Sequence, residues 1–384
     1  MNNQLNLISK LPEIRTSIFA TMSKMANDYG AINLSQGFPD FDCSPELVEL
    51  VNHFMKKGFN QYAPMPGTIE LRKEISKNIL RDYGRLYDFE KEITITAGAT
   101  QALYTAFSAI VNSDDEVIIF EPAYDSYIPA IIANGGIPIA IKLNANDFSI
   151  PWNEVERSIT KKTKCIVINS PNNPTGAILN SEDIVQLEKI VKDTNIFLIS
   201  DEVYEHIVFD NHKHFSFASS EELSKRAFVI SSFGKTFHTT GWKIGYCCAP
   251  EYLMKEFRKL HQYIVFAVNT PIQLAVAEFL KDEENIYSLP KFYQAKRDLF
   301  SSLISNSRFI LRTCDGSYFQ LLDYSNISNK NDLEFSEYLT KEIGVAVIPL
   351  SPFYKNGSNN KLIRVCFAKK DEVLKIAAEK LVKI

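Results

Sequence analysis

The sequence predicts an α/β protein: a mainly parallel sheet covered by helices on both faces, with a smaller α+β domain attached. Three observations predict it. Short runs rich in β-branched residues alternate with amphipathic stretches between Ile93 and Cys248, and each run is apolar almost throughout, as strands buried on both faces must be. Beyond Leu280 the strand-like pieces become sparser and follow long helical segments, the order of an α+β unit. The 384 residues exceed the roughly 250–300 at which a single core stops growing, and 45% hydrophobic content suffices for two cores.

Seven strands are predicted in the first unit: Ile93 to Thr96, Val117 to Phe120, Ile137 to Leu143, Cys165 to Asn169, Ile196 to Ser200, Ala227 to Ser231 and Ile244 to Cys248. Helical periodicity follows in Tyr252 to Tyr263 and Pro271 to Leu280. The second unit offers Phe309 to Arg312, Tyr318 to Leu322, Val345 to Ile348 and Leu362 to Phe367. There is no repeat, low-complexity tract or Gly/Ser linker, so the two units are expected to pack closely.

Charge and cysteine usage narrow the function. Forty-two basic against 46 acidic residues leave a net charge of −4, no footprint for nucleic acid or an anionic membrane. No run reaches transmembrane length and no uninterrupted apolar stretch of a secretory signal opens the chain, so the cytosol is the expected compartment. Six cysteines, at 43, 165, 247, 248, 314 and 366, include no C-x-x-C pair and suit reduced core thiols. His212 and His214 lie in a polar loop beside Asp210; without a third ligand nearby they read as a solvated turn, and no metal is expected. The expected partner is a small molecule.

Ligands of open α/β sheets sit beyond the carboxyl ends of the strands, and four strand ends here are polar. Thr96 leads through Gly98-Ala99-Thr100 into a helical stretch, Ala102 to Ile110, whose free N–H groups and dipole suit a phosphate. Small residues at a helix start serve capping equally. Asn169 leads into Ser170-Pro171-Asn172-Asn173-Pro174-Thr175-Gly176, where prolines and glycine fix a turn and leave Asn169 and Asn173 as aimed amides; structural turn and polar site stand side by side.

The third end carries Asp201-Glu202-Val203-Tyr204. Adjacent residues on an extended segment point oppositely, so one acid can face the site. Asp201 is the choice, because Tyr204 could return to the same side within a turn. A buried acid needs a cationic partner, and a pyridinium nitrogen is one; a helix N-cap is the alternative role. The fourth end delivers Ser232 and Lys235, in Ser231-Ser232-Phe233-Gly234-Lys235-Thr236-Phe237. Partial burial and the nearby cation Lys243 would favour the neutral amine of Lys235, a nucleophile for imine chemistry. Most lysines are solvated surface charges, so the company of Lys235 matters more than the residue alone.

Together the strand ends supply an anion cradle, two amides, a carboxylate with a tyrosine, and a serine with a lysine. Pyridoxal phosphate needs all of these: an amine for its aldehyde, an acid for its ring nitrogen, donors for its phenolic oxygen and a site for its phosphate. The chain resembles a fold-type-I, class I pyridoxal-phosphate aminotransferase from Asn33-Leu34-Ser35-Gln36-Gly37-Phe38-Pro39-Asp40 to Ile363-Arg364-Val365-Cys366-Phe367. Within that family it is most similar to the bacterial methionine aminotransferase and kynurenine aminotransferase/glutamine transaminase branch. The stretches that carry this are Ser232-Phe233-Gly234-Lys235-Thr236-Phe237 with Gly241-Trp242-Lys243, and His261-Gln262-Tyr263 with Phe266 and Asn269-Thr270-Pro271. Lys243 stands where arginine is commoner in the wider class; a point charge neutralises phosphate but lacks the bidentate fork.

The resemblance implies an N-terminal segment, 1–40, joining a small C-terminal domain, 281–384, around a large cofactor-binding domain, 41–280. It implies that Lys235 carries the cofactor as a Schiff base and moves the substrate's α-proton. Asp201 holds the pyridine nitrogen protonated, Asn173 and Tyr204 bond the ring oxygen, and Tyr124 stacks on the ring. Gly98, Ala99, Thr100, Ser232 and Lys243 cradle the phosphate, with Asn169 beside the ring. Arg364, on the strand face opposite Ile363, Val365 and Phe367, is an arginine that needs an anionic partner, and the resemblance makes that partner the substrate carboxylate, with Gly37 adding an N–H. Phe19, Phe38, Tyr62 and Phe266 are implied pocket residues suited to methionine, aromatic amino acids, leucine or glutamine; core packing explains any one of them equally. Tyr62 is implied to reach the partner's phosphate in a homodimer.

The expected reaction moves the amino group of a neutral amino acid to a 2-oxo acid by a ping-pong path. A kynurenine or glutamine transaminase and a cysteine-conjugate β-lyase are alternatives on the same cofactor. A non-catalytic ligand-sensing module is the alternative of another class; regulators of that kind carry a DNA-binding domain ahead of this unit, and only about thirty residues precede Asn33.

Overall fold

The computed structural model describes residues 7–14 and 16–384. The described residues form three sheets. Strand β1 (Ile32–Asn33) stands apart from a central sheet of β2 (Ile93–Thr96), β3 (Glu116–Glu121), β4 (Ile137–Lys142), β5 (Thr163–Asn169), β6 (Phe197–Asp201), β7 (Ala227–Ser232) and β8 (Gly245–Cys248). Later come β9 (Ile310–Leu311), β10 (Phe319–Asp323), β11 (Val345–Ala346), β12 (Ile348–Pro349) and β13 (Leu362–Cys366).

The central order is β2-β8-β7-β6-β5-β3-β4. It is parallel except for β8, which runs against both β2 and β7. The residues explain the two covered faces. In β6, Leu198 joins one apolar cluster with Ile118 and Ile166, while its neighbour Ile199 joins another with Ile119, Val167 and Phe228. Alternation along each strand therefore feeds two cores, and the strands read as continuous apolar runs. β4 is one of the two edge strands and its ends are exposed; it also holds Pro138, which an edge tolerates.

All seven strands expected between Ile93 and Cys248 are present, with ends shifted by a residue or two. The run Val345 to Ile348 behaves differently from its prediction. It divides into β11, parallel to β1, and β12, antiparallel to β13. One apolar run thus serves two sheets, because Ile32 claims the backbone at Val345 while Arg364 claims it at Ile348. The remaining sheet has the order β12-β13-β10-β9. The N-terminal helix Ile18–Asp28 packs Met22 against Ile348, Leu350 and Phe353.

Because β8 is antiparallel, its first residue pairs with the last of β7 and of β2: Gly245 opposes Ser232 and Thr96. The segment entering β8, with Lys243, therefore lies at the end where β2, β6 and β7 finish. That end holds the site.

Candidate active site

A cavity of about 160 Å³ opens there, lined by Gly98, Ala99, Thr100, Tyr124, Asn169, Asn173, Asp201, Tyr204, Ser232, Lys235 and Lys243. Every cofactor residue expected from the sequence, except Tyr62, converges on it.

One end is built for an anion. The helix Ala99–Ile110 begins three residues earlier than its periodicity suggested, with Gly98 as the cap at φ +76° and no side chain capping the first turn. Its leading N–H groups remain available, which is the helix-terminus arrangement that attracts phosphate. Lys243 adopts a left-handed φ of +54° and brings its ammonium over Gly98: a Cβ at Gly98 would lie 3.3 Å from Nζ. A side chain at position 98 would fill the cradle.

The opposite end holds an acid. Asp201, the last residue of β6, is 3% exposed and accepts a hydrogen bond from the Tyr127 hydroxyl at 2.6 Å. Burial pushes its carboxyl up to about 6, with the Tyr127 bond opposing that rise. A turn rather than a helix follows it, so the N-cap role is not taken. Glu202 points the other way, accepting from Ser200 Oγ at 2.6 Å and Phe217 N at 3.0 Å, with His214 Nε2 2.9 Å away. His214 is therefore not a solvated turn residue: its side chain is 5% exposed, closed in by its bond to Glu202.

Asn169 serves as scaffold. Its Oδ1 accepts from Asn173 N at 2.7 Å and its Nδ2 donates to Asp201 O at 2.9 Å, so β5, β6 and the prolyl turn share one frame. Asn173 Oδ1 accepts from Arg364 Nη1 at 2.6 Å. Its own amide N–H groups are left for a ligand.

Between the two ends stands Lys235. Its Nζ donates to Gly37 O and to the Tyr318 hydroxyl, each at 3.1 Å. Burial pulls the ammonium down to about 8; Arg364 and Lys243 pull in the same direction, against Cys366 and Asp201. The cation expected from sequence, Lys243, is thus joined by Arg364 and outweighed by desolvation. An amine with this pKa is neutral to about a tenth at pH 7, far more than a solvated lysine.

Arg364 is fully buried on β13. Its hydrogen bonds go to neutral oxygens, Asn173 Oδ1 and Ser35 O, and its Nε has no partner. Aromatic rings surround it: Phe319 at 3.8 Å from the guanidinium carbon, Phe19 at 5.1 Å and Phe353 at 5.5 Å. Burial lowers it only to about 10, so it remains a cation. The anionic partner that its apolar setting demands is not a hydrogen-bonded carboxylate among the described residues, which leaves the position for a ligand carboxylate. Gly37 approaches closely: a Cβ there would sit 2.8 Å from the Phe319 ring.

The remaining pocket candidates do not line this cavity in one chain. Tyr62 is 83% exposed and Phe266 48% exposed; their rings meet edge to face at 5.3 Å. Phe38 is also exposed, with Lys369 Nζ above its ring at 5.1 Å. Sequence reasoning missed Tyr127, Tyr318 and Phe353. Tyr127 had a signal, three residues beyond Tyr124 and so one helical turn away.

The comparisons with known proteins agree with this chemistry. The family described as aminotransferase class I and II matches residues 29–381. The chain belongs to the class I and II aminotransferases. A methionine aminotransferase of Escherichia coli is 47% identical over 381 residues, covering 99% of both chains. A kynurenine–oxoglutarate transaminase of Dictyostelium discoideum is 34% identical, covering 96% of this chain and 94% of that one. A solved Escherichia coli structure identified with a methionine aminotransferase function superposes with a TM-score of 0.97 at 46% identity, over 99% of this chain and 100% of that one. The enzyme is an aminotransferase dependent on pyridoxal phosphate. The cavity fits that cofactor on its own terms, with an open helix terminus and a lysine at one end, a buried acid at the other, and an amine of lowered pKa between them. Among the described residues no helix is long and apolar enough to cross a membrane.

Proposed function

We propose that this aminotransferase takes its amino group from neutral amino acids, methionine foremost, with aromatic amino acids, leucine and glutamine as further donors, and passes it to a 2-oxo acid. The observation that carries the preference is the aromatic wall around Arg364: Phe19, Phe353 and Phe319 flank the cation that receives the α-carboxylate, and rings favour thioether and aromatic side chains. The full-length similarity to a methionine aminotransferase supports it.

Pyridoxal phosphate, when bound, supplies an aldehyde for exchange of amines and a ring that withdraws electrons from the substrate's α-carbon. Lys235 would supply the amine that anchors it and would carry the substrate's α-proton. Asp201 keeps a proton on the ring nitrogen by ion pairing, and Tyr127 keeps Asp201 anionic. Asn173 and Tyr204 would donate to its ring oxygen, and Tyr124 would lie against its ring. Gly98, Ala99, Thr100, Ser232 and Lys243 hold the phosphate, while Arg364 and the Gly37 N–H hold the substrate carboxylate. Supporting these roles are the cavity lining and the neutral partners of Arg364.

The exposed pair Tyr62 and Phe266, whose rings meet at 5.3 Å, fits a homodimer in which Tyr62 of one copy reaches the phosphate of the other and both rings complete its pocket with Phe38. The segment 1–40, of which residues 1–6 and 15 lie outside the described residues, then joins 281–384 in a small domain beside a large one, 41–280, a division supported by the pairing of β1 with β11. A cytoplasmic enzyme suits the free cysteines. The test is absorbance. The holoenzyme mixed with methionine and no acceptor should convert to the amine form of the cofactor; no change with any neutral amino acid rejects the donor assignment.

A further inference from the structure

The Tyr318 hydroxyl faces the catalytic lysine, and none of the roles above uses it. We propose that Tyr318 is a positioning residue: with the Gly37 carbonyl it forms a dock for the Lys235 amine after the incoming amino acid has displaced it, and so aims the lysine's lone pair. This rests on the aminotransferase reading.

The geometry leaves the phenol little freedom. Tyr318 is fully buried, its ring held edge-on by Tyr204 at 5.1 Å and Phe319 at 4.9 Å and tilted against Tyr293 at 5.7 Å. The turn beneath it is seated just as firmly. Ser317 takes a left-handed φ of +63°, its N–H bonds Ile207 O at 2.9 Å, and a Cβ on Gly316 would lie 2.7 Å from Pro171. The hydroxyl oxygen is thereby tied to the same prolyl turn that holds Asn173.

The hydrogen bonds then decide what the oxygen can do. The Tyr318 proton donates to Gly37 O at 2.6 Å, so the phenol oxygen faces Lys235 as an acceptor. Nζ reaches that oxygen and Gly37 O, each at 3.1 Å. A neutral lysine amine has two N–H bonds and one lone pair. Two acceptors take both N–H bonds, and the lone pair is the one direction left over. It can then accept the substrate's α-proton, the C–H electron pair remaining on the substrate. A lysine engaged as an imine lacks the two N–H bonds that fill the dock, so the dock favours the displaced lysine. The depressed pKa of Lys235 agrees with a neutral amine in that place.

Tyr318→Phe removes one oxygen and keeps the ring. Two readouts are taken. In the apoenzyme, the rate of imine formation with added pyridoxal phosphate is followed against pH; loss of an acceptor that favours the ammonium should move the midpoint down by about half to one unit. In the holoenzyme, kcat should fall about tenfold with KM for methionine little changed, the magnitude of one hydrogen bond, and the isotope effect with α-deuterated methionine should rise. An unchanged midpoint together with an unchanged isotope effect, in a variant that melts like the parent, overturns the dock. If Tyr318→Phe does not fold, 3-fluorotyrosine at position 318 keeps the shape and weakens the acceptor: a smaller downward shift supports the proposal and none overturns it. A parent enzyme that fails to convert with methionine refutes the donor assignment instead, a separate outcome.

Discussion

Arg364 Nη1 donates to Asn173 Oδ1 across 2.6 Å, tying β13 of the smaller sheet to the turn that follows β5 of the central one. The residue proposed for the substrate carboxylate and one proposed for the cofactor ring thus share a hydrogen bond.

Arg364→Lys is expected to raise KM for methionine by about 10²-fold, because a single ammonium cannot reproduce the fork to a carboxylate and to Asn173, and charged hydrogen bonds are worth about 1.5–3 kcal/mol each. Steady-state kinetics at saturating 2-oxo acid checks it. An unchanged KM would remove Arg364 from substrate binding.

Tyr127→Phe should weaken the cofactor's hold at acid pH. The Tyr127 hydroxyl donates to Asp201 and opposes the effect of burial, so its loss raises the carboxyl further above about 6. Because the anionic form is the one that pairs with the ring nitrogen, binding is lost as pH falls through that value. The loss should begin about half to one unit higher in the variant. Cofactor titration of the apoenzyme across pH 5 to 8 measures the shift.

The apoenzyme's rate of attachment to pyridoxal phosphate should climb with pH and level off near 8, since only the neutral amine of Lys235 attacks and burial pulls its ammonium down to about 8. A solvated lysine would let the rate climb on toward about 10.4. Stopped-flow absorbance separates the two.

Lys243→Ala should lower affinity for the cofactor by roughly 10-fold to 100-fold, the magnitude of one charge-assisted bond to phosphate. The fold is expected to persist, since Lys243 enters none of the apolar clusters. Equilibrium dialysis against pyridoxal phosphate gives the affinity, and circular dichroism checks the fold.

By itself the sequence determined the central sheet and most of its polar rim. Apolar runs such as Ile196 to Ser200, short and bounded by helical patterns, read as strands buried on both faces, and the residues just past them then stand at the sheet's carboxyl end. That Asp201 rather than Glu202 lines the cavity was legible too, because neighbours on an extended backbone face opposite ways and Tyr204 could return to the side of Asp201 within a turn. These are local rules, and local periodicity expresses them. Tertiary structure alone decided the rest. Tyr127 meets Asp201 across 74 positions, and Tyr318 meets Lys235 across 83. Neither was singled out from the chain: the spacing of Tyr127 from Tyr124 hints at a shared side, but local spacing does not report which distant strand end a side chain will meet. The run Val345 to Ile348 carries the same lesson: its apolar pattern announces a strand, but its division between two sheets depends on backbone partners at Ile32 and Arg364. Side-chain alternation records which face a residue takes, whereas which groups meet is set by packing that closes hundreds of residues into one core.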